Sequence, residues 1–319
     1  MKIVERLSDA RTEKNARGCV VAVGTFDGVH IGHQALISRA VSLAREAGAS
    51  AVVLTFQNHP LSVLAPERVP SALSSPGERR QVFESLGIDL VVEERFTKEL
   101  ASISAEDFLA CLVEALAPRA VVVGENFSFG AGGRGTPDFL LARGEAAGVR
   151  VEKVPLLLRA GKTVSSTRIR ALLSAGDVRF AGELLGRPFS LSGLVVHGDE
   201  RGRTLGFPTA NILPSPGEAC PAKGAYAVRA TLGDGSEHCG VANVGDNPTF
   251  GGVEPRVETH ILDFSGDLYG APMTVRFVER LRAEQKFPSP EALVEQIRRD
   301  EQSAREIFSS IKIESDACR

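Results

Sequence analysis

Short apolar runs alternate with amphipathic segments through the first half of the chain. The apolar runs, rich in Val and Ala, are "CVVAVG", "SAVVLTF", "IDLVVEE", "RAVVVGENF" and "VRVEKVPLL". Between them, apolar residues recur at helical spacing over residues 32–47, 76–86, 105–115 and 138–147. Strands that alternate with helices in this way form a parallel sheet covered by the helices. The pattern therefore predicts an α/β unit from residue 18 to about residue 160.

After Pro188 the pattern changes to a series of strands with no helices between them. The segments "SLSGLVVHG", "GAYAVRATL", "HCGVANVG", "VETHILDF" and "APMTVRFVERL" are separated by turns of Gly, Pro and Asp. Such a series is typical of an antiparallel barrel. One helix is predicted at residues 289–308, with Leu293, Ile297 and Ile307 among its apolar positions.

This change of pattern divides the chain into two predicted domains. A chain of 319 residues, 43% of them hydrophobic, is long enough for two compact units. The boundary falls in "ALLSAGDVRFAGELLGRPF", between a helix that Gly176 can cap and Pro188. We therefore predict domains at residues 1–183 and 184–319.

Composition excludes several classes of partner. Lys and Arg total 37 against 40 Asp and Glu, and no basic tract offers a surface for nucleic acid. The five cysteines are scattered without a C-x-x-C pair, which argues against a disulfide framework or a zinc site. The charged N-terminus lacks the apolar core of a signal peptide, and no run of 18 apolar residues occurs. We expect a cytoplasmic protein without a membrane or nucleic-acid partner.

The segment "GTFDGVHIGH" directly follows the first predicted strand, where parallel sheets bind ligands. Gly24 and Gly28 allow a tight turn, and Gly32 removes a side chain where a nucleotide would lie. His33 is predicted to open a helix, whose N-terminal N–H groups attract anions. An isolated H-x-G-H is equally well explained as an ordinary turn, but its position after a strand indicates that His30 and His33 face a polyphosphate.

A second helix start lies in "KTVSSTRIRALLSAG", after the last predicted strand of the α/β unit. Ser166 or Thr167 can cap this helix. By itself the segment is only a good helix start. Because the carboxyl ends of parallel strands share one edge, its hydroxyl groups and Arg168 are expected to converge with the histidines on a triphosphate.

In the second unit, "HGDERGRTLGFPTANI" combines a glycine-punctuated loop with a polar strand. The loop carries Arg201 and Arg203, and it is either a solvated hairpin or a cover for phosphates. Thr209 and Asn211, two residues apart on an extended segment, project two oxygens to one face. Oxygen ligands suit Mg²⁺, which ATP would have to bring because two neutral ligands bind it weakly.

The strand segment "RVETHILDF" carries the carboxylate of Glu258. Glu258 and His260 share one face of this strand, and Thr259 and Ile261 share the other. The alternation leaves open whether Glu258 points toward a ligand or toward water. Composition alone favours water, because an unpaired Glu is seldom buried.

These motifs resemble those of the prokaryotic bifunctional riboflavin kinase/FMN adenylyltransferase (FAD synthetase) family over nearly the whole chain. "GTFDGVHIGH" with "SSTRIR" resembles its HIGH-type nucleotidyltransferase module. "HGDERGRTLGFPTANI", "GVANVGDNPTF" and "VETHILDF" resemble its kinase module. The resemblance implies a Rossmann-like α/β domain followed by an antiparallel β-barrel with a terminal helix. It also implies that ATP phosphorylates riboflavin to FMN, with ADP as product, and then adenylylates FMN to FAD with release of pyrophosphate.

The resemblance also implies roles for individual residues. In the adenylyltransferase site, His30 and His33 would be catalytic, Asn126 would contact the flavin where many members carry Asp, and ATP would be bound by Gly24, Thr25, Phe26, Asp27, Gly28, Gly32, Ser165, Ser166, Thr167 and Arg168. In the kinase site, Glu258 would be catalytic, Arg282 would border the flavin, Thr209 and Asn211 would hold Mg²⁺, and ATP would be bound by Gly198, Arg201, Gly202, Gly206, Phe207 and Pro208.

Two alternative functions are distinguishable from this one. HIGH-type sites also occur in class I aminoacyl-tRNA synthetases and in pantetheine-phosphate adenylyltransferase, but the acidic balance and the absence of a K-M-S-K-S stretch argue against a synthetase. A noncatalytic flavin-binding protein could retain the same fold. Formation of FMN and FAD from riboflavin and ATP would separate these classes. The sequence leaves the oligomeric state open, a homo-oligomer included.

Overall fold

The computed structural model describes residues 1–14, 16–198, 205–249 and 252–317. The chain divides into two compact units, Met1–Ser166 and Thr167–Arg319. Arg201 and Gly202, which the resemblance predicts to bind ATP, and Arg203 of the same loop lie outside the described residues.

The first unit is built on a six-stranded parallel sheet with the order β1-β4-β3-β2-β5-β6. Its strands are β1 (Lys2–Val4), β2 (Val20–Val23), β3 (Ala51–Phe56), β4 (Leu90–Glu94), β5 (Ala120–Gly124) and β6 (Arg150–Val154). Its helices are α1 (Ile31–Glu46), α2 (Leu61–Leu64), α3 (Pro76–Ser85), α4 (Lys98–Ser102), α5 (Ala105–Leu116) and α6 (Pro137–Ala146). A short hairpin follows, with strands β7 (Leu158–Arg159) and β8 (Lys162–Thr163).

The central strands β2, β3 and β5 are buried on both faces, which explains why they are almost continuously apolar, whereas the edge strands β1 and β6 are partly exposed and carry charged residues. Along β2, Val21 and Val23 pack into one core, whereas Val20 and Ala22 pack into the other. The second core also takes the buried residues of α1, such as Ile37. Helices on both faces of a parallel sheet are the expected consequence.

Strand order places a topological switch point between β2 and β5. From β2 the chain proceeds through β3 and β4 on one side, whereas β5 and β6 lie on the other. Ligands in open α/β sheets bind at the carboxyl ends of the strands at such a point. The histidine segment follows β2 and Asn126 follows β5, so both lie at this position of the sheet.

The second unit is an antiparallel barrel with the strand order β10-β13-β12-β11-β14-β9. Its strands are β9 (Phe189–Leu194), β10 (Ala210–Ile212), β11 (Gly224–Thr231), β12 (Glu237–Thr249), β13 (Gly252–Ile261) and β14 (Pro272–Ala283). Its helices are α7 (Ser166–Ala175), which begins at the last residue of the first unit, α8 (Val178–Leu185) and α9 (Pro290–Ala317).

The barrel is nearly closed by the segment that follows β9. The backbone N–H of Val196 donates to the carbonyl oxygen of Asn211 at 2.8 Å, which joins this segment to β10. Helix α9 packs outside the strands, where Ala304 and Phe308 contact Ala227 and Val241.

The predicted fold class is confirmed, with differences at the ends of elements. Helix α9 continues to Ala317, beyond the predicted end at residue 308. Strand β1, at the edge of the first sheet, was hidden in a polar N-terminal segment. Helix α8 was also missed, because only eight residues lie between the Asp177 cap and Gly186. The predicted boundary between residues 183 and 184 lies within α8 and stays a prediction.

Candidate functional site

The turn after β2 has an unusual backbone conformation. Phe26, Gly28 and Val29 have φ values of 49°, 75° and 40°. Glycine adopts this left-handed region readily, but for the β-branched Val29 it is strained. A Cβ atom on Gly24 would lie 2.9 Å from the ring of Phe26, so the turn also requires glycine there. Backbone strain of this kind is typical of sites where the conformation itself is needed.

The two histidines stack on each other at the start of α1. The rings of His30 and His33 have centroids 3.6 Å apart, and the edge of His33 meets Phe26 at 5.3 Å. The Nδ1 atom of His30 accepts a hydrogen bond from the backbone N–H of His33 at 3.2 Å. The expectation that His33 opens the helix was therefore wrong, because α1 begins at Ile31 and His30 caps it.

Both imidazoles are uncharged at neutral pH. Burial lowers the pKa of His30 to about 4 and also lowers the pKa of His33 well below its ordinary value. Because Nδ1 of His30 is an acceptor, its proton lies on Nε2. The Nδ1 atom of His33 is buried and has no hydrogen-bond partner among the residues that the structure describes. The pair can therefore offer neutral hydrogen bonds to a ligand, and a nearby anion would favour protonation.

Ser166 is brought to the same turn. Its hydroxyl group donates to the carbonyl oxygen of Asp27 at 3.0 Å, and the carboxylate of Asp27 accepts from the backbone N–H of Leu73 at 3.0 Å. Helix α7 begins at Ser166, so the position before the helix is Ser165. The expectation that Ser166 or Thr167 is the capping residue was therefore wrong by one residue.

Two residues of the predicted phosphate site fall in the second unit. Thr167 and Arg168 follow Ser166 in helix α7, and the Arg168 guanidinium lies 5.2 Å from the centre of the Phe180 ring. Their contacts with phosphate stay predictions.

Asn126 lies two residues beyond β5 with an exposed side chain. A Cβ atom on Gly124 would lie 3.2 Å from the Oδ1 atom of Asn126, so the absence of a side chain two residues earlier leaves room for the amide. Its position at the carboxyl end of the strand next to β2 is suitable for a ligand contact, and the flavin contact itself stays a prediction.

Sequence reasoning missed the polar side chains beneath the turn. Thr55, at the end of β3, is fully buried, and its hydroxyl group donates to the carbonyl oxygen of Thr25 at 3.1 Å. Arg79 in α3 reaches the same carbonyl. The burial of Arg79 in a helix that reads as polar could not be deduced without the fold.

In the second unit, Asn211 presents a buried acceptor. The residue is 4% exposed, and its Oδ1 atom has no hydrogen-bond partner within the described part of the chain. A Cβ atom on Gly198 would lie 2.6 Å from the Asn211 side-chain nitrogen, so glycine is needed beside it. Buried acceptors are nearly always satisfied, and an amide oxygen is a suitable ligand for Mg²⁺. The half-buried Thr209 lies two residues earlier.

Strand register places Glu258 beside Asn211. Residue 258 in β13 pairs with Asn211 in β10 on one side and with Asn243 in β12 on the other. The Glu258 side chain is 37% exposed and lies 3.3 Å from Arg256, whereas the neighbouring Thr259 is fully buried in the barrel. Glu258 therefore points away from the barrel interior, on a face that remains partly open to solvent.

His260 links the segment before Thr209 to helix α9. Its Nδ1 atom lies 2.8 Å from the carbonyl oxygen of Pro208, and its Nε2 atom lies 2.9 Å from a carboxylate oxygen of Glu301. The ring also meets Phe207 edge-on at 5.6 Å. Phe207 and Pro208 are thus held against the strand that carries Glu258, while Gly206 is exposed with a φ of 87°.

The Arg282 side chain is held in place by contacts with helix α9. Its guanidinium pairs with the buried Asp300 at 2.9 Å and lies 5.5 Å from the centre of the Phe287 ring. Gln296 donates to the same carboxylate at 2.9 Å. Arg282 is also opposite Ala225, which pairs with Asn243 on its other side. Its predicted flavin contact stays a prediction.

The residues described contain no group of three or more His, Cys, Asp and Glu that could hold a metal. Asn211 and Thr209 offer neutral oxygens, which Mg²⁺ accepts together with phosphate oxygens.

Comparison with known proteins gives two family matches that follow each other along the chain. Residues 12–168 match the family model described as FAD synthetase, and residues 185–308 match the model described as Riboflavin kinase. The chain is 39% identical to the bifunctional riboflavin kinase/FMN adenylyltransferase of Escherichia coli (strain K12) over 313 residues, 97% of each chain. It is 38% identical to the protein of the same name from Bacillus subtilis (strain 168), covering 92% of this chain and 93% of the relative.

A solved structure is similar over the same length. It is described as a macrolide-efflux protein from Streptococcus pneumoniae, with a TM-score of 0.88 and 33% sequence identity, and the match covers 96% of this chain and 99% of that one. In the described ranges of the present chain, no helix combines the length and hydrophobicity needed to cross a membrane.

Proposed function

The chain belongs to the bifunctional riboflavin kinase/FMN adenylyltransferase family, and from this membership we propose how its two units divide the reactions. The enzyme phosphorylates riboflavin with ATP to give FMN, and it transfers AMP from ATP to FMN to give FAD and pyrophosphate. We assign adenylyl transfer to the first unit and phosphorylation to the second. The observation that carries this assignment is the agreement between the two family matches and two units with separate polar sites.

In the first unit, a phosphate oxygen of FMN attacks the α-phosphorus of ATP. The bond from the α-phosphorus to the bridging oxygen of the leaving pyrophosphate breaks, and no covalent bond to the enzyme is needed. Charge develops on the leaving β- and γ-phosphates. Donors that are fixed in place before the reaction lower the barrier because they need no reorganisation.

His30 and His33 are suited to this role by their rigid stacking. Their neutral imidazoles would donate hydrogen bonds to the phosphates, and the negative charge of ATP would favour protonation of the pair. Ser165, Ser166, Thr167 and Arg168 would hold the departing pyrophosphate, a role compatible with the bond between Ser166 and Asp27 at the turn. Asn126 would border the flavin.

In the second unit, the 5'-hydroxyl group of the ribityl chain attacks the γ-phosphorus of ATP, and ADP leaves. We propose that the Glu258 carboxylate accepts the proton of this hydroxyl group. Glu258 of β13 and Asn211 of β10 are paired residues, so their side chains lie on the same face of the sheet. The Glu258 carboxylate is partly exposed, and substrate and nucleotide could meet between the two residues. Proton acceptance by a positioned base contributes about 10² to 10⁴ in rate.

Asn211 and Thr209 would hold Mg²⁺ together with ATP phosphates. The buried Oδ1 atom of Asn211, which has no hydrogen-bond partner among the residues the structure describes, fits such an ion. A bound Mg²⁺ neutralises charge on the transferred phosphoryl group. Gly198, Gly206, Phe207 and Pro208 would border the nucleotide, and Arg282 would border the flavin.

Further assignments follow from composition and remain proposals. With 37 basic and 40 acidic residues, the chain has no basic tract for nucleic acid, and we propose small-molecule partners only, in the cytoplasm. The scattered spacing of the five cysteines, without a C-x-x-C pair, supports a reducing compartment.

The assignment of adenylyl transfer is tested with the full chain. His33→Ala is expected to lower conversion of FMN to FAD by about 10²-fold, as for the loss of one fixed donor. Conversion of riboflavin to FMN should be unchanged. Both products are measured by chromatography after incubation with ATP and Mg²⁺. Equal loss of both activities would mean that His33 supports the fold, and unchanged FAD formation would remove it from the mechanism.

A further inference from the structure

Arg79 is a buried cation beneath the turn that carries the histidines. It lies in helix α3 and is 9% exposed, which is rare for arginine. Its Nη2 atom donates to the carbonyl oxygen of Phe56 at 2.9 Å, and its Nη1 atom reaches the carbonyl oxygen of Thr25 at 3.5 Å. Thr25 lies in the turn after β2, and Phe56 is the last residue of β3. One guanidinium therefore joins the turn to the neighbouring strand.

The charge of Arg79 is only partly compensated. Its Nη2 atom lies 4.0 Å from a carboxylate oxygen of the buried Glu93, whose closer partner is Arg80 at 2.9 Å. The Nε atom of Arg79 is buried without a hydrogen-bond partner among the described residues. Burial lowers the pKa of Arg79, and the charges of Glu93 and Asp27 raise it. Arginine nonetheless stays protonated in proteins.

A buried, incompletely paired cation is a poor device for stability alone. Replacing all members of a buried ion pair by apolar side chains of similar volume is often neutral or stabilising, whereas removing one member leaves an uncompensated buried charge. A fixed positive charge at the carboxyl ends of β2 and β3 would instead favour an anionic ligand there. The turn continues from Thr25 to Asp27, whose carbonyl oxygen accepts a hydrogen bond from the Ser166 hydroxyl group. A shift of Thr25 would therefore be transmitted to the proposed phosphate site.

We propose that Arg79 is a positioning residue for adenylyl transfer, which fixes the turn at Thr25–Asp27 and supplies positive potential beneath the ATP phosphates. The proposal rests on the assignment of adenylyl transfer to the first unit. Arg79 lies in helix α3, outside every sequence motif from which the site was predicted. Thr55, which donates to the same carbonyl, is its neutral counterpart.

The test compares Arg79→Met with Arg80→Met in the full chain. Both changes remove one arginine that faces Glu93, but the Arg80 side chain is 41% exposed and its hydrogen bonds go to Glu93 rather than to either carbonyl. Arg79→Met is expected to lower kcat for FMN adenylylation at least about tenfold and to raise KM for ATP, because small displacements of positioning groups reduce rates strongly. Arg80→Met should change both by less than about twofold, because Arg80 contacts neither carbonyl and Arg79 remains beside Glu93 to offset its charge.

Riboflavin phosphorylation by the same samples is the internal control, and it should be unchanged in both variants. Arg79→Lys should recover part of the ATP affinity because it keeps the charge, but not the full kcat because it cannot reach both carbonyls. If Arg79→Met fails to fold, Arg79→Lys and Thr55→Val carry the test, with Thr55→Val expected to lower kcat without changing the charge.

Wild-type adenylylation in folded Arg79→Met, or equal losses in Arg79→Met and Arg80→Met, would overturn the proposal. His33→Ala distinguishes this failure from failure of the underlying assignment. If His33→Ala abolishes FAD formation while Arg79→Met does not, the site stands and the role of Arg79 is wrong. If His33→Ala also retains FAD formation, the assignment of the site itself is wrong.

Discussion

At the scale of single residues, the positions of the two histidines follow from the local sequence, whereas their protonation states depend on burial in the fold. The spacing in "GTFDGVHIGH" was enough to predict that His30 and His33 lie together after β2. It could not predict that both are uncharged, because desolvation depends partly on side chains from distant segments, such as Phe83 of α3, which packs against Phe26 of the turn. Glycines were predictable for the same reason as the histidines, since the need for a tight turn is local.

The neutral state of His30 predicts a pH dependence of stability. Its pKa is lowered from 6.5 to about 4, so between these values the unfolded chain binds a proton that the folded chain does not. Stability should therefore fall as pH decreases through this window, by about 2 kcal/mol for His30 between about pH 7 and about pH 5. His33 contributes with the same sign.

His30→Asn tests this dependence, because Asn keeps an N-cap acceptor but does not titrate. Urea unfolding is followed by circular dichroism, and the tyrosine signal identifies the second unit, since Tyr226 and Tyr269 are the two tyrosines and the chain has no tryptophan. The variant should lose less stability than wild type on going from about pH 7 to about pH 5. An unchanged slope would show that His30 is not the group responsible.

Glu258 gives the second prediction at this scale. Glu258→Gln keeps the shape and can still form hydrogen bonds, but it removes the basic carboxylate. The kcat for FMN formation should fall by about 10² to 10⁴, while riboflavin binding, measured by fluorescence quenching, changes little. FMN supplied directly should still be converted to FAD. A wild-type kcat under conditions where chemistry limits turnover would show that Glu258 is not the base.

At the scale of elements, the alternation of strands and helices was predictable because it is repeated over many residues. Strands β2 to β6 are buried on both faces or bounded by clear turns, so their composition identified them. Short elements were not predictable in the same way. Helix α8 has only two turns, and β10 is a three-residue strand whose Asn211 is polar. Both are stabilised by packing within the second unit rather than by local preference.

The contact between Gly198 and β10 gives a prediction about the metal-binding element. Because a Cβ atom at residue 198 would lie 2.6 Å from the Asn211 amide, Gly198→Ala should displace that side chain. Riboflavin phosphorylation should then fall by up to about 10²-fold and require more Mg²⁺, whereas adenylylation should be retained.

Gly182→Ala is the matched control for this change. It lies in α8 of the same unit, and a Cβ atom there would meet its nearest neighbour at an ordinary 3.4 Å. Kinase assays over a range of Mg²⁺ concentrations compare the two variants. The same Mg²⁺ dependence in Gly198→Ala and wild type would contradict a role for Asn211 in holding the ion.

At the scale of the whole molecule, the division into units raises the question of where the kinase unit begins. Helix α7 forms hydrogen bonds within the second unit. The Arg280 guanidinium donates to the carbonyl oxygen of Ala175 at 3.1 Å, and the backbone N–H of Ala222 donates to the carbonyl oxygen of Leu173 at 2.9 Å. The apolar face of α8 is buried, with Val178, Ala181 and Leu184 at most 1% exposed. The sequence could not show this packing, because it joins residues far apart in the chain.

We therefore predict that a fragment of residues 167–319 folds and makes FMN from riboflavin. A fragment of residues 184–319, cut at the boundary predicted from the sequence, should be less stable by several kcal/mol, since burial of each large apolar side chain contributes roughly 1.5–3 kcal/mol. Unfolding in urea and FMN formation are measured on both fragments. Equal stability would mean that α7 and α8 are dispensable and would support the boundary at residue 184. If both fragments are folded and neither phosphorylates riboflavin, the assignment of the kinase reaction to the second unit is wrong.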